Sequence, residues 1–169
     1  MPGSEPEIRP RDSVSGQTYE GRPTQSGKAG TRARWDGVDP AVRRNMQANK
    51  GKDTGPELAV RSLLHRKGLR FRVNQPLPFN RRRRADITFT RVGLFIFIDG
   101  CFWHGCPDHY VEPKTRAAYW SAKVASNTKR DADTDARLIA AGHSVLRAWE
   151  HEPPSETAAA IEAAYRRLR

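Results

Sequence analysis

The sequence predicts an α/β fold, a mixed central sheet flanked by helices. Three observations predict it. Residues 92–98 are almost continuously apolar, as in a strand buried on both faces, and helix-patterned stretches lie on either side of that run. The elements also follow the order α-β-β-β-α-β-α, which buries its apolar stripes most economically as a sheet between helices.

Each element has a local reason. Residues 1–34 are rich in Pro, Gly, Ser and Thr with mixed charge, and carry almost no large apolar side chain after Met1. They cannot bury enough surface to offset the entropy of ordering, so they read as a disordered basic and polar arm before a single domain over residues 35–169. Thr54-Gly55-Pro56-Glu57 reads as a capping box with proline in the first turn; Leu58, Val60, Leu63 and Leu64 follow, and Gly68 ends the helix. Residues 69–73, 85–90 and 92–98 read as strands. Residues 115–141 are helical in composition, with one break expected near Ser126 or Asn127 and closure at Gly142. A strand over 144–149 and an amphipathic helix over 155–168 complete the chain.

Charge narrows the partners. Thirty Lys and Arg against 19 Asp and Glu give a net charge of +11 over 169 residues, the electrostatic footprint of a polyanion binder. No run approaches the length of a membrane helix, and the first twenty residues lack the apolar stretch of a signal peptide. The expected setting is the bacterial cytoplasm, in association with the nucleoid and without a membrane partner. In a reducing interior, the two cysteines point to metal ligation rather than to a disulfide.

The chemistry concentrates in Ile98-Asp-Gly-Cys-Phe-Trp-His-Gly-Cys-Pro-Asp-His109, at the end of a buried strand. Cys101, Cys106 and His109 make a three-ligand set of sulfur and imidazole, and His151 is the candidate fourth ligand of a tetrahedral structural zinc. Asp86 and Asp99, on neighbouring strands, can share a catalytic Mg²⁺, to which Ile98 is assigned through its backbone carbonyl. His104 is the candidate general base. Phe102 and Trp103 are two adjacent aromatics that suit a wedge between base steps, and Trp120 either joins them or packs in the core. Trp149, inside a strand, reads as core.

Over residues 37–151 the sequence resembles the very-short-patch repair (Vsr) endonucleases. The matching stretches are Arg44-Asn45-Met46, Gly51-Lys-Asp-Thr-Gly-Pro-Glu-Leu58, Gly68-Leu-Arg-Phe-Arg-Val73, Asp99-Gly-Cys-Phe-Trp-His-Gly-Cys106, Tyr119-Trp120, Asn127 with Arg130-Asp131, and Trp149-Glu150. The resemblance implies a restriction-endonuclease-like (PD-(D/E)XK-type) fold with a zinc staple and an active-site Mg²⁺. It implies incision 5′ of the thymine in a T·G mismatch, the lesion left when 5-methylcytosine deaminates. Carried over to this sequence, Asp86 binds the metal, His104 is the base and Asp131 holds that histidine. Glu57 matches an acid facing the active site, although its capping role is itself a sufficient explanation. Phe102, Trp103 and Trp120 match the intercalating wedge, with Met46 approaching the minor groove; Lys50, Lys52, Lys123 and Arg81, Arg82, Arg83 and Arg84 would contact the DNA backbone.

The sequence departs from the family's pattern in three places. Asp99 stands where that pattern has histidine, and His151 where it has cysteine. The run Arg81, Arg82, Arg83, Arg84 replaces a short Gly/Pro-containing turn. Two other functions stay open: a nicking enzyme of the same fold without mismatch preference, acting with a methylation or restriction system, and a zinc-stabilised DNA-binding module without catalysis. Action as a monomer is expected, because a nick at an asymmetric lesion does not call for two-fold symmetry. A polymerase or mismatch-repair factor is an expected recruited partner.

Overall fold

The computed structural model describes residues 51–169 together with Pro40 and Arg44. The expected arm over 1–34 and the candidates Met46 and Lys50 lie outside the described residues. Along the chain run α1 (Gly55–Arg66), β1 (Arg72–Leu77), β2 (Asn80–Phe89), β3 (Leu94–Asp99), α2 (Cys101–His104), α3 (Ala117–Ala140), β4 (Ser144–Trp149) and α4 (Pro154–Arg167). No helix among the described residues is long and apolar enough to cross a membrane.

The apolar run in β3 sets the layers. Its side chains alternate between two cores, as a strand's period of two requires. Leu94 and Ile96, with Ile98 packed alongside, meet Val60 and Leu64 of α1, Ile87 and Phe89 of β2, and Ala158, Ile161 and Ala164 of α4. Phe95 and Phe97 face the other way, against Leu77, Ala85 and Leu138 of α3. The sheet order is β1-β2-β3-β4, with the first two pairings antiparallel and β3–β4 parallel. The mixed sheet and its flanking helices therefore agree with the expected architecture. A parallel pair needs a long crossover, and α3 supplies it.

Several boundaries differ from expectation. The first strand runs over Arg72–Leu77 and turns through Pro78 and Phe79, so Arg81, Arg82, Arg83 and Arg84 lie inside β2 rather than in a turn before it. The first antiparallel pair is solvated along this stretch, and arginines are tolerated there; Arg81, Arg82 and Arg84 are exposed. Helix α3 continues through Ser126 and Asn127 without a break. Asn127 is buried, and its Nδ2 donates to the Trp103 carbonyl at 2.8 Å, so its polar end is satisfied across elements and does not compete with the helix backbone. The capping box is formed in altered form. Glu57 accepts from Asp53 N–H and from the Thr54 hydroxyl, each at 3.0 Å, and the Thr54 side chain makes no cap to the helix backbone. Trp149 is half-buried and stacks against His151 rather than filling a core.

Candidate active site and metal centre

The site grows from the carboxyl end of β3. After Asp99 the chain makes the single turn α2, whose open N–H at Cys101 donates to Glu150 Oε1 at 2.6 Å, just past β4. A carboxylate suits that position because a helix start leaves unpaired N–H groups. The turn ends at Gly105, with φ +64°, where an added Cβ would come within 2.7 Å of Val124 Cγ1 on α3. Only glycine closes α2 this tightly against α3.

This turn separates two clusters. On one side Cys101 and Cys106 are buried and meet His109 and His151, with ligand atoms all within 4.8 Å of one another. Cys101 Sγ lies 3.1 Å from His151 Nδ1, and Cys106 Sγ lies 3.7 Å from Nδ1 of both His109 and His151. Zn–S and Zn–N bonds of about 2.3 and 2.0 Å at tetrahedral angles put such donors roughly 3.5 Å apart, so this donor set fits a four-coordinate ion. Burial and the neighbouring Cys106 push the Cys101 thiol up to about 11, a cost that a bound cation reverses.

On the other side Asp99, His104 and Asp131 come together. His104 Nδ1 donates to Asp131 Oδ2 at 2.6 Å and lies 3.6 Å from Asp99 Oδ1. Burial pushes the Asp131 carboxyl up, but the hydrogen bond from His104 and the charge of Arg147 outweigh it and hold the group below the ordinary range. The carboxylate is thus ionised and fixes the Nδ1–H tautomer, which turns Nε2 into the proton acceptor. The His104 side chain is 20 % exposed.

Asp86, on β2, adjoins this group. Its Oδ2 accepts the Ile98 N–H at 2.7 Å, which sets the carboxylate against the main chain of the residue whose carbonyl is the other candidate ligand. Burial pushes its carboxyl up to about 6, against the Ile98 hydrogen bond and with help from Glu57 and Asp99. Asp86 is half-buried and feels the charges of Glu57 and Asp99, but among the described residues the cluster with ligand atoms close enough to share an ion is Asp99, His104 and Asp131, so Asp86 would offer a separate carboxylate oxygen at the edge of that group. Glu57 is buried, held by Arg61 at 2.6 Å, and faces Asp86 electrostatically, so both of its expected roles are compatible with its position. Asp99 has both oxygens 2.8 Å from Arg147 Nη1, and a cation there competes with that pair.

The aromatic residues gather over α2. Ring centroids of Phe102 and Trp103 are 5.3 Å apart, and Trp120 lies 5.3 Å from Phe102 and 5.9 Å from Trp103. All three are half-buried, and Tyr119, exposed, extends the group. Trp120 therefore joins the aromatic cluster. Lys52 and Lys123 are exposed. Sequence reasoning missed Arg147, Arg61 and Asp135; the one visible signal was an arginine inside the otherwise apolar strand Val145-Leu146-Arg147-Ala148-Trp149.

Residues 35–111 match the family model described as DNA mismatch endonuclease Vsr. The chain is 45 % identical over 120 residues to the type II nicking enzyme V.NaeI of Lentzea aerocolonigenes, covering 70 % of this chain and 72 % of that protein. It is 42 % identical over 120 residues to the type II nicking enzyme V.XorIIP of Xanthomonas oryzae pv. oryzae, covering 69 % and 85 %. It is 37 % identical over 115 residues to the DNA mismatch endonuclease Vsr of Escherichia coli K12, covering 66 % and 71 %.

Proposed function

The chain belongs to the Vsr family and is a DNA endonuclease, and from that premise we propose that it nicks one strand of duplex DNA 5′ of the thymine in a T·G mismatch. The observation that carries the reading is the placement of His104 on the same helical turn as Phe102 and Trp103, with Trp120 against them. A half-exposed aromatic cluster beside a proton acceptor suits an enzyme that unstacks a base step and hydrolyses the adjoining phosphodiester, and a mismatch costs less to unstack than a matched pair.

In this mechanism Asp131 holds Nδ1–H of His104, and Nε2 takes a proton from the attacking water. Asp86, with the Ile98 carbonyl and Asp99 at its flank, would hold Mg²⁺. A divalent ion held there would supply charge neutralisation at the scissile phosphate and Lewis-acid activation of water. Cys101, Cys106, His109 and His151 would hold zinc as a staple away from the reaction. Lys52, Lys123 and the exposed Arg81, Arg82 and Arg84 draw in the backbone without reading bases, whereas Arg83 is ion-paired with Asp133. The mixed sheet with helices on both faces supports a restriction-endonuclease-like, PD-(D/E)XK-type fold.

The two relatives of higher identity are named as type II nicking enzymes. That favours a second reading, in which the chain nicks DNA in partnership with a methylation or restriction system. A duplex labelled differently on each strand, with a central T·G pair, a matched control, and Mg²⁺ or EDTA, separates the readings. Mg²⁺-dependent cleavage of the thymine strand alone supports mismatch repair, whereas equal cleavage of the matched duplex replaces it with the second reading. Asp86→Ala should bind the duplex and not cut it.

A further inference from the structure

Arg147 rises from β4 into the active-site cluster with its side chain 17 % exposed and its guanidinium 4.5 Å from the centroid of the Phe97 ring. Each of its three nitrogens faces a different carboxylate. Nη1 lies 2.8 Å from both oxygens of Asp99, Nε 2.8 Å from Asp135 Oδ2, and Nη2 3.6 Å from Asp131 Oδ1. The other oxygen of Asp131 is the one that accepts the His104 Nδ1–H hydrogen bond, at 2.6 Å. Asp99, on the opposite flank, sits 3.6 Å from the same ring nitrogen.

We infer that Arg147 is a positioning residue, which locks Asp99 and Asp131 around His104 so that the imidazole keeps one tautomer and one orientation. The inference rests on the role proposed above for His104. Asp99 and Asp131 flank the imidazole and Asp135 lies near enough to both to repel them, and Arg147 is the cation that touches all three carboxylates. A planar guanidinium with nitrogens pointing in fixed directions can face three acceptors at once, and its plane rests against the Phe97 ring. A lysine at this place keeps the charge but is a single point, and cannot direct all three.

The test compares Arg147→Lys and Arg147→Met with the zinc-loaded wild-type protein. Folding is checked by thermal melting and by duplex affinity with Mg²⁺ omitted and no chelator present, and the ¹⁵N signals of His104, assigned through His104→Gln, are read with the ring neutral. Arg147→Lys should fold and bind DNA as wild type, show a mixture of ring tautomers, and cleave roughly tenfold more slowly at saturating duplex. Arg147→Met should extend both effects. A folded Arg147→Lys with the single Nδ1–H signature and wild-type rate would overturn the inference. If the wild-type protein cuts no duplex, the proposed function falls, and the His104 signature still decides the role of Arg147.

Discussion

At the scale of single residues, two positions on one turn carry opposite kinds of constraint. His104 is held by Asp131 at 2.6 Å and is part-exposed rather than a core residue, and Asp131 keeps Arg147 as a charge partner when the imidazole is removed. His104→Ala should therefore leave the melting temperature within a few degrees of wild type and slow single-turnover cleavage by about 10²–10⁴-fold, the range for a general base. A fully active variant removes it from that role. Gly105 is the reverse case. It touches no substrate, yet its φ of +64° and the 2.7 Å approach of Val124 leave no room for a side chain. Gly105→Ala should cost about 1–3 kcal/mol in urea unfolding, through strain in the αL region.

At the scale of elements, α2 is the piece that cannot stand alone. Four residues lie far below the length at which a helix holds itself, so its position depends on Glu150, Asn127 and the cysteine–histidine cluster that brackets it. Chelating the proposed zinc, or Cys106→Ala, should lower the melting temperature and weaken the near-ultraviolet dichroism of Trp103 and Trp120. Unchanged stability after metal removal would sink the staple. The same shortness made α2 illegible in sequence, because one turn has no period to read. The long elements were legible: β3 from its apolar run, α3 from composition and Gly142, β4 from its apolar residues. The β1–β2 ends were not, because arginines on a solvated pair erase the alternation that marks a strand. The cluster residues were legible as chemistry, since cysteine, histidine and aspartate at a strand end stand out. The pairing of Asp131 with His104 was legible only through the family resemblance, and it is present at 2.6 Å, whereas Arg147, which arrives from β4 tens of residues away, was not legible at all.

At the scale of the molecule, attraction to DNA and choice of where to cut belong to different parts of the surface. The net charge of +11 is a property of the whole chain, whereas Arg81, Arg82 and Arg84 form an exposed basic strip on β2. Of these, Arg84 donates to the Asn74 carbonyl at 2.7 Å, which leaves its positive charge unneutralised. Phosphate contacts release counterions and make affinity fall with salt by about 0.9 per phosphate in log–log slope, and they carry no base information. If the strip meets the backbone, replacing all three arginines by alanine should flatten that slope by up to about three and weaken binding to matched and mismatched duplexes alike. The ratio of cleavage rates on the two duplexes should stay unchanged, because the proposed discrimination resides in Phe102, Trp103 and Trp120. A triple variant that keeps the full salt slope would remove β2 from the DNA-facing surface. One that changes the ratio would move part of the specificity from the aromatic cluster to the hairpin.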